Sequence, residues 1–218
     1  MPFVSSVEGT YCFGRANNAG TVAFNYPNFA STAGISQVST AGVISNLLYL
    51  TQTATGDVGN VYRSPAIAYN RNFTFEWNFE CVGGTTPYPA DGFCLQWSTT
   101  DVSNGPTGAS VGLLPTAAQA FTFLTYTNEL FRWYTNNVTQ FTQTGQNFQR
   151  NLYYWAIYNH SASTMKIYFS TSPTQPASPN FTLTGFSFGP TSYYIGFGAA
   201  TGGATANHIL RSMKLTFT

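Results

Sequence analysis

Asn72-Phe73-Thr74-Phe75-Glu76-Trp77-Asn78-Phe79-Glu80 sets an aromatic ring at every second position, with a polar or charged side chain between each pair. Successive side chains of an extended chain point to opposite faces, so this stretch has one oily face and one wet face. A helix would scatter the same rings around its circumference. The segment therefore predicts a β-strand with one face on a core. The chain ends in the same pattern, with Met213, Leu215 and Phe217 set against Ser212, Lys214 and Thr216.

Working outward, short runs rich in Tyr, Phe, Ile, Val and Thr recur near 22–26, 44–50, 60–64, 92–98, 120–126, 129–134, 152–158, 164–170 and 192–198. Gly, Pro, Asn and Ser clusters separate them, and many short strands at such spacing predict an all-β sandwich or barrel. A short turn near Ala117 to Ala120 is the one candidate for helix. The Ser/Pro-rich stretch from Ser170 to Pro179 reads as a surface loop, too short to link domains. A chain of 218 residues fits one sandwich domain.

Aromatic residues make up 17% of the chain and charged residues only 7%, so Thr, Ser, Asn and Gln must cover the surface. The formal net charge of +1 provides no field to gather phosphates or anionic lipids. Nucleic acid is not an expected partner. A surface so sparsely charged does little to repel its own copies, which favours a homo-oligomer or a particle assembly. No run of eighteen apolar residues predicts membrane insertion, and Met1-Pro2-Phe3-Val4-Ser5-Ser6 lacks the basic and apolar regions of a secretory leader. Cys12, Cys81 and Cys94 cannot all pair within one chain, and no Cys-x-x-Cys spacing points to zinc. Buried thiols and a Cys81–Cys94 bridge both stay open.

The acids are Glu8, Asp57, Glu76, Glu80, Asp91, Asp101 and Glu129. Glu76 and Glu80 share a face but stand roughly 13 Å apart along one strand, outside the roughly 5 to 9.5 Å that paired glycosidase carboxyls need. Only tertiary contacts could join Asp91 to Glu129. His160 and His208 are the only imidazoles, and no Gly-x-Ser-x-Gly elbow accompanies them. A two-histidine metal site would require the fold to bring them together. These features predict no enzyme, no cofactor and no metal.

From residue 22 onward the order of segments resembles the legume or L-type lectins. Leu47-Leu48-Tyr49-Leu50-Thr51 and then Val58-Gly59-Asn60-Val61-Tyr62-Arg63-Ser64-Pro65 are similar to the family's LxLT and VGxxxYxxP blocks. Phe73 to Phe79, Ala90-Asp91-Gly92-Phe93, Gly112-Leu113-Leu114, Phe121 to Asn128, Ile195 to Gly202 and His208 to Met213 follow in the family's order. Each block alone is weak, but their succession is hard to obtain by chance. The resemblance implies an antiparallel β-sandwich, a concanavalin A-like jelly roll, over residues 22–218, preceded by an N-terminal extension over 1–21 that matches nothing in the lectins.

In that family the carboxylate of the Ala-Asp-Gly turn accepts hydrogen bonds from two sugar hydroxyls, a glycine-loop amide and an Asn amide donate, and a ring stacks on the sugar. Carried over, these are Asp91, the backbone near Gly112, Asn128 and Tyr126, with the loop from Thr201 to Asn207 shaping the rim. A carboxylate is a strong acceptor for hydroxyls, and a ring covers C–H surface that would otherwise stay wet. The resemblance also implies a cis Ala90–Asp91 peptide. The segment matching Phe121 to Asn128 supplies a Glu and an Asp to paired metal ions in the family, and Thr122 and Leu124 stand at those positions here. Hard cations need oxygen ligands, so the metal pair is expected to be lost, and the Asp91 turn must be held in some other way. The resemblance implies a glycan-binding module at an extracellular or virion-like particle surface. The alternative is a structural coat, fibre or spike component that keeps the sandwich without the sugar chemistry.

Overall fold

The computed structural model describes residues 20–100, 103–126 and 129–218. Sixteen strands among the described residues, β1 to β16 in chain order, build two antiparallel sheets packed face to face. The back sheet runs β14 (Phe181–Thr184), β13 (Thr164–Ser170), β12 (Asn151–Asn159), β7 (Phe73–Val82), β16 (Asn207–Phe217), β4 (Leu47–Thr51) and β3 (Gly42–Ile44). β1 (Thr21–Tyr26) shares β16 with β4, pairing from Met213 to Phe217 while β4 takes His208 to Leu210. The front sheet runs β11 (Val138–Gln143), β10 (Leu130–Thr135), β9 (Ala117–Leu124), β8 (Gly92–Ser98), β15 (Ser192–Ala200), β5 (Val58–Arg63) and β2 (Ile35–Ser39), with β6 (Ile67–Ala68) also on β15. This is the expected all-β sandwich. β1 begins within the expected N-terminal extension, and residues 1–19, with Cys12, lie outside the described residues.

The alternating stretch forms β7 at the centre of the back sheet, between β12 and β16. Its odd-numbered residues are buried, and their rings cross to the front sheet. Phe79 stacks on Phe93 of β8 with centroids 3.8 Å apart, and Trp77 meets Phe123 of β9 edge to face at 6.4 Å. Within the back sheet Trp77 lies parallel to Tyr154 of β12 at 5.0 Å. The even-numbered residues face outward, where Glu76 pairs with Lys214 and Glu80 with Arg211. Both carboxylates thus sit on the outer face of the back sheet with cationic partners.

A second cluster lies on the outer face of the front sheet. Val111, Leu113 and Leu114, from the loop between β8 and β9, pack over Tyr62, Cys94, Ala120, Leu124 and Leu130. β9 is consequently buried on both sides, with Phe121 and Phe123 facing the rings and Ala120 and Leu124 facing the loop. That erases the alternation by which a strand is recognised. The short turn expected near Ala117 to Ala120 is instead the start of β9, paired with both β8 and β10. Among the described residues the one 3-10 turn is at Gly108–Ser110.

Cys81 and Cys94 are separate buried thiols on opposite sheets, so the open pairing resolves against a bridge. The histidines are likewise kept apart. Tyr158, two residues before His160, pairs with Phe73, whereas His208 pairs with Cys81 eight positions further along β7, about 27 Å away. The Thr51 hydroxyl lies 2.7 Å from His208 Nδ1 and 3.2 Å from the Ala206 carbonyl, which ties the buried imidazole to the end of β4.

Two predictions follow from this packing. Trp77→Ala removes the ring that joins Tyr154 to Phe123, and should cost about 3–5 kcal/mol in urea unfolding. Burial holds His208 neutral down to about pH 3, whereas the unfolded chain protonates near pH 6.5. Between those values the unfolded state binds the extra proton, so His208 makes stability fall as pH falls, by up to about 1.4 kcal/mol per pH unit. In urea titrations between pH 6 and pH 4, His208→Gln should flatten that acid limb by close to one proton's slope.

Candidate functional site

Asp91 ends the loop that leads from β7 into β8. Its N–H donates to the Ala200 carbonyl at 2.9 Å and its carbonyl accepts from the Thr125 N–H at 3.0 Å, so the residue is held between the ends of β15 and β9. The Ala90–Asp91 peptide is cis, as the resemblance implied. Asp91 is 8% exposed, and its Oδ2 is buried without a hydrogen-bond partner among the described residues. Burial raises the carboxyl above the usual aspartate range. Carboxylate acceptors are rarely left buried and unpaired away from functional sites.

Two glycines face this carboxylate. A Cβ on Gly202 would come within 2.9 Å of Asp91 Oδ2, and one on Gly108 would lie 4.0 Å from it. Any side chain at 202 would crowd the acceptor. The loop carrying Gly108 is fastened from below by three side chains of the front sheet. Asn60 donates to the Gly112 carbonyl at 2.8 Å, Gln96 accepts from the Leu114 N–H at 2.8 Å, and Tyr62 donates to the Ser103 carbonyl at 2.9 Å. The Gly108 N–H in turn reaches the Thr201 carbonyl at 3.2 Å, joining this loop to the one that carries Gly202.

The aromatic element is a pair. Tyr126 is 45% exposed and meets Tyr88, 49% exposed, edge to face with centroids 6.5 Å apart. Tyr88 adjoins Pro89, whose carbonyl accepts from the Thr125 hydroxyl at 2.8 Å, and Tyr126 adjoins Thr125. The two tyrosines therefore sit on the two backbone segments that meet at Asp91.

Other expected site residues fall elsewhere. Gly112 lies beneath the loop: its N–H donates to the Pro106 carbonyl at 3.1 Å and its carbonyl is bound by Asn60 and Gln96. Gly108, four residues earlier, is the glycine beside Asp91. Thr201 is fully buried, its hydroxyl donating to the Ala54 carbonyl at 2.6 Å and accepting from the Asp57 N–H at 2.8 Å. It braces the rim from behind and has no free surface for a ligand. Asn207 is half-buried in β16 opposite Val82, at the base of the Asp91 loop beside Gly83. Asn128 lies outside the described residues.

The two metal positions do not fit metal. Leu124 packs in the second cluster, and Thr122 presents one neutral, buried hydroxyl. Among the described residues no group of three or more His, Cys, Asp or Glu side chains could hold an ion. Asp91 and Glu129 flank strands two apart in the front sheet, since Gly92 aligns with Leu124 and Leu124 with Leu130. Their backbones are therefore about 10 Å apart.

Sequence reasoning missed Tyr88, Gly108, Gly202 as the close neighbour of Asp91, and Thr125. Tyr88-Pro89 directly precedes Ala90-Asp91 and was available as a signal. The others act through backbone positions and short side chains that no residue pattern advertises.

The sequence matches no protein-family model and no curated protein. Solved structures are similar over nearly the whole chain. A lectin from Bauhinia forficata in complex with GalNAc superimposes with a TM-score of 0.74 at 22% identity, covering 89% of this chain and 97% of that one. The exoplasmic/lumenal domain of VIP36, in a Ca2+/Man3GlcNAc-bound form, gives 0.74 at 17% identity, covering 89% and 88%. Lectin I-B4 from Griffonia simplicifolia, in a metal-free form, gives 0.72 at 20% identity, covering 88% and 97%. With its two antiparallel sheets and this breadth of likeness, the chain has the legume-lectin-like, concanavalin A-like fold.

Proposed function

We propose that the chain is a non-catalytic carbohydrate-binding module that takes an uncharged sugar at Asp91 without metal. The observation that carries this reading is the buried Asp91 Oδ2, which has no donor among the described residues and lies near two glycines, with an exposed tyrosine pair on the loops that meet at Asp91. A sugar offers the missing chemistry: hydroxyl donors on one edge and C–H surface on the face. Asp91 accepts the hydroxyls, and Tyr126 with Tyr88 covers the ring. Glu76 and Glu80, paired with cations on the outer face of the back sheet, offer no free acid–base couple.

Likeness to lectins whose structures hold GalNAc or Man3GlcNAc adds to the reading. Among the described residues no helix is long and apolar enough to cross a membrane. A site for sugars suits a protein at an extracellular or particle surface.

A second reading is favoured by Leu124 and Thr122, which replace the metal positions with apolar packing and a neutral hydroxyl. On that reading the sandwich is a coat, fibre or spike component, as on a virion, and self-association is its work.

A glycan array with the purified chain separates the two. The lectin reading expects EDTA-resistant binding to neutral glycans that Asp91→Asn weakens by tenfold or more, the size expected for hydrogen bonds to a charged acceptor. Asp91→Asn should melt no lower than the wild type, because it removes a charge that burial disfavours. Tyr126→Ala and Tyr88→Ala should each weaken binding roughly three- to tenfold, in line with aromatic contact energies. Acidification should weaken binding as Asp91 protonates, beginning above the pH of an ordinary aspartate. A folded wild type silent on the array and assembling in sedimentation would favour the structural reading.

A further inference from the structure

Resting on Asp91 as the binding carboxylate, we infer that Thr125, fastened by Gln149, is the positioning residue that organises the Asp91 loop in place of metal. Thr125 follows Leu124 directly and is fully buried. Its N–H holds the Asp91 carbonyl at 3.0 Å, its hydroxyl holds the Pro89 carbonyl at 2.8 Å, and its own carbonyl accepts from Gln149 Nε2 at 2.6 Å. The Cys81 thiol lies 3.9 Å from the Thr125 hydroxyl and points its donor at that oxygen, leaving the hydroxyl proton for Pro89. Every polar atom of this residue is thus engaged, and two of its bonds grip the carbonyls on either side of Ala90.

The anchor reaches back into the core. Phe148, next to Gln149, is buried and meets Phe123 edge to face at 5.3 Å. Gln149 is itself set by a turn in which its N–H donates to Asn147 Oδ1 at 3.0 Å. A path of neutral groups therefore runs from the ring stack through Gln149 and Thr125 to Asp91, with the Ala200 carbonyl holding the Asp91 N–H from the other side. None of these groups can be removed by a chelator. Valine at 125 keeps the shape and the N–H but loses the bond to Pro89, whereas serine keeps the hydroxyl.

The test is amide hydrogen exchange, read by mass spectrometry on peptides spanning residues 86–93, with sugar affinity measured on the best glycan of the array. In the wild type these amides should exchange slowly, equally with and without EDTA. Thr125→Val and Gln149→Leu should speed their exchange tenfold or more and weaken sugar binding by a similar factor, with peptides from β7 and β12 unchanged. Thr125→Ser should restore both. Faster exchange of the wild type in EDTA, or unchanged exchange in both Thr125→Val and Gln149→Leu, overturns the inference. Exchange that behaves as expected in a protein that binds no glycan leaves the clamp standing and sinks the sugar reading. If Thr125→Val fails to fold, the comparison of Gln149→Leu with the wild type decides.

Discussion

The ring seam between β7 and the front sheet is the constraint from which the rest of the molecule is hung. Phe79 on Phe93 fixes how β7 faces β8, and Trp77, packed between Tyr154 and Phe123, fixes how β12 and β9 sit on either side. Each large ring buries on the order of 150–250 Å², and with few charges available this burial must carry most of the folding free energy. The register of both sheets follows, because a slip of one residue would turn the rings of β7 outward and bring Glu76 and Glu80 into the core. Asp91 inherits its place from this seam, since it lies two residues before Phe93.

Over that frame, the loop between β8 and β9 does two jobs. Its apolar residues close a second core on the front sheet, and its glycines carry backbone close to Asp91. Buried amides and hydroxyls from Asn60, Tyr62 and Gln96 satisfy its peptide groups, without which burial would be costly. Leu124 belongs to this second core. The position that the resemblance aligns with a metal ligand is part of the packing that supports the loop.

Much of this was legible in the residues. β7 and the end of β16 alternate because one face carries core side chains and the other polar ones, and the order of short blocks pointed to the sandwich, to Asp91 and to Tyr126. β2, β3, β6, β11 and β14 were not legible as separate strands. Most of them are very short, and β11 lies at an edge with nearly all its residues exposed, so it carries little apolar pattern. β9 was legible from Ala120 onward, while its start, Ala117-Ala118-Gln119, has no β-branched or aromatic side chain and reads as a turn. The resemblance pointed to the backbone near Gly112, while the turn directs Gly108, four residues earlier, toward the carboxylate. Thr125 was invisible for a different reason: a threonine in a strand-like run looks the same whether its hydroxyl is idle or holds a neighbouring loop.

The cover that this loop lays across the front sheet also closes that face of the sandwich. An open sheet face is a trough along which a polymer can lie lengthwise, and here that trough is filled by Val111, Leu113 and Leu114. Asp91, Gly108 and Gly202 lie apart from this cover, where the loops that join β7 to β8, β8 to β9 and β15 to β16 come together. The same loop thus closes one face of the fold with its apolar side chains and brings bare backbone to the carboxylate with its glycine.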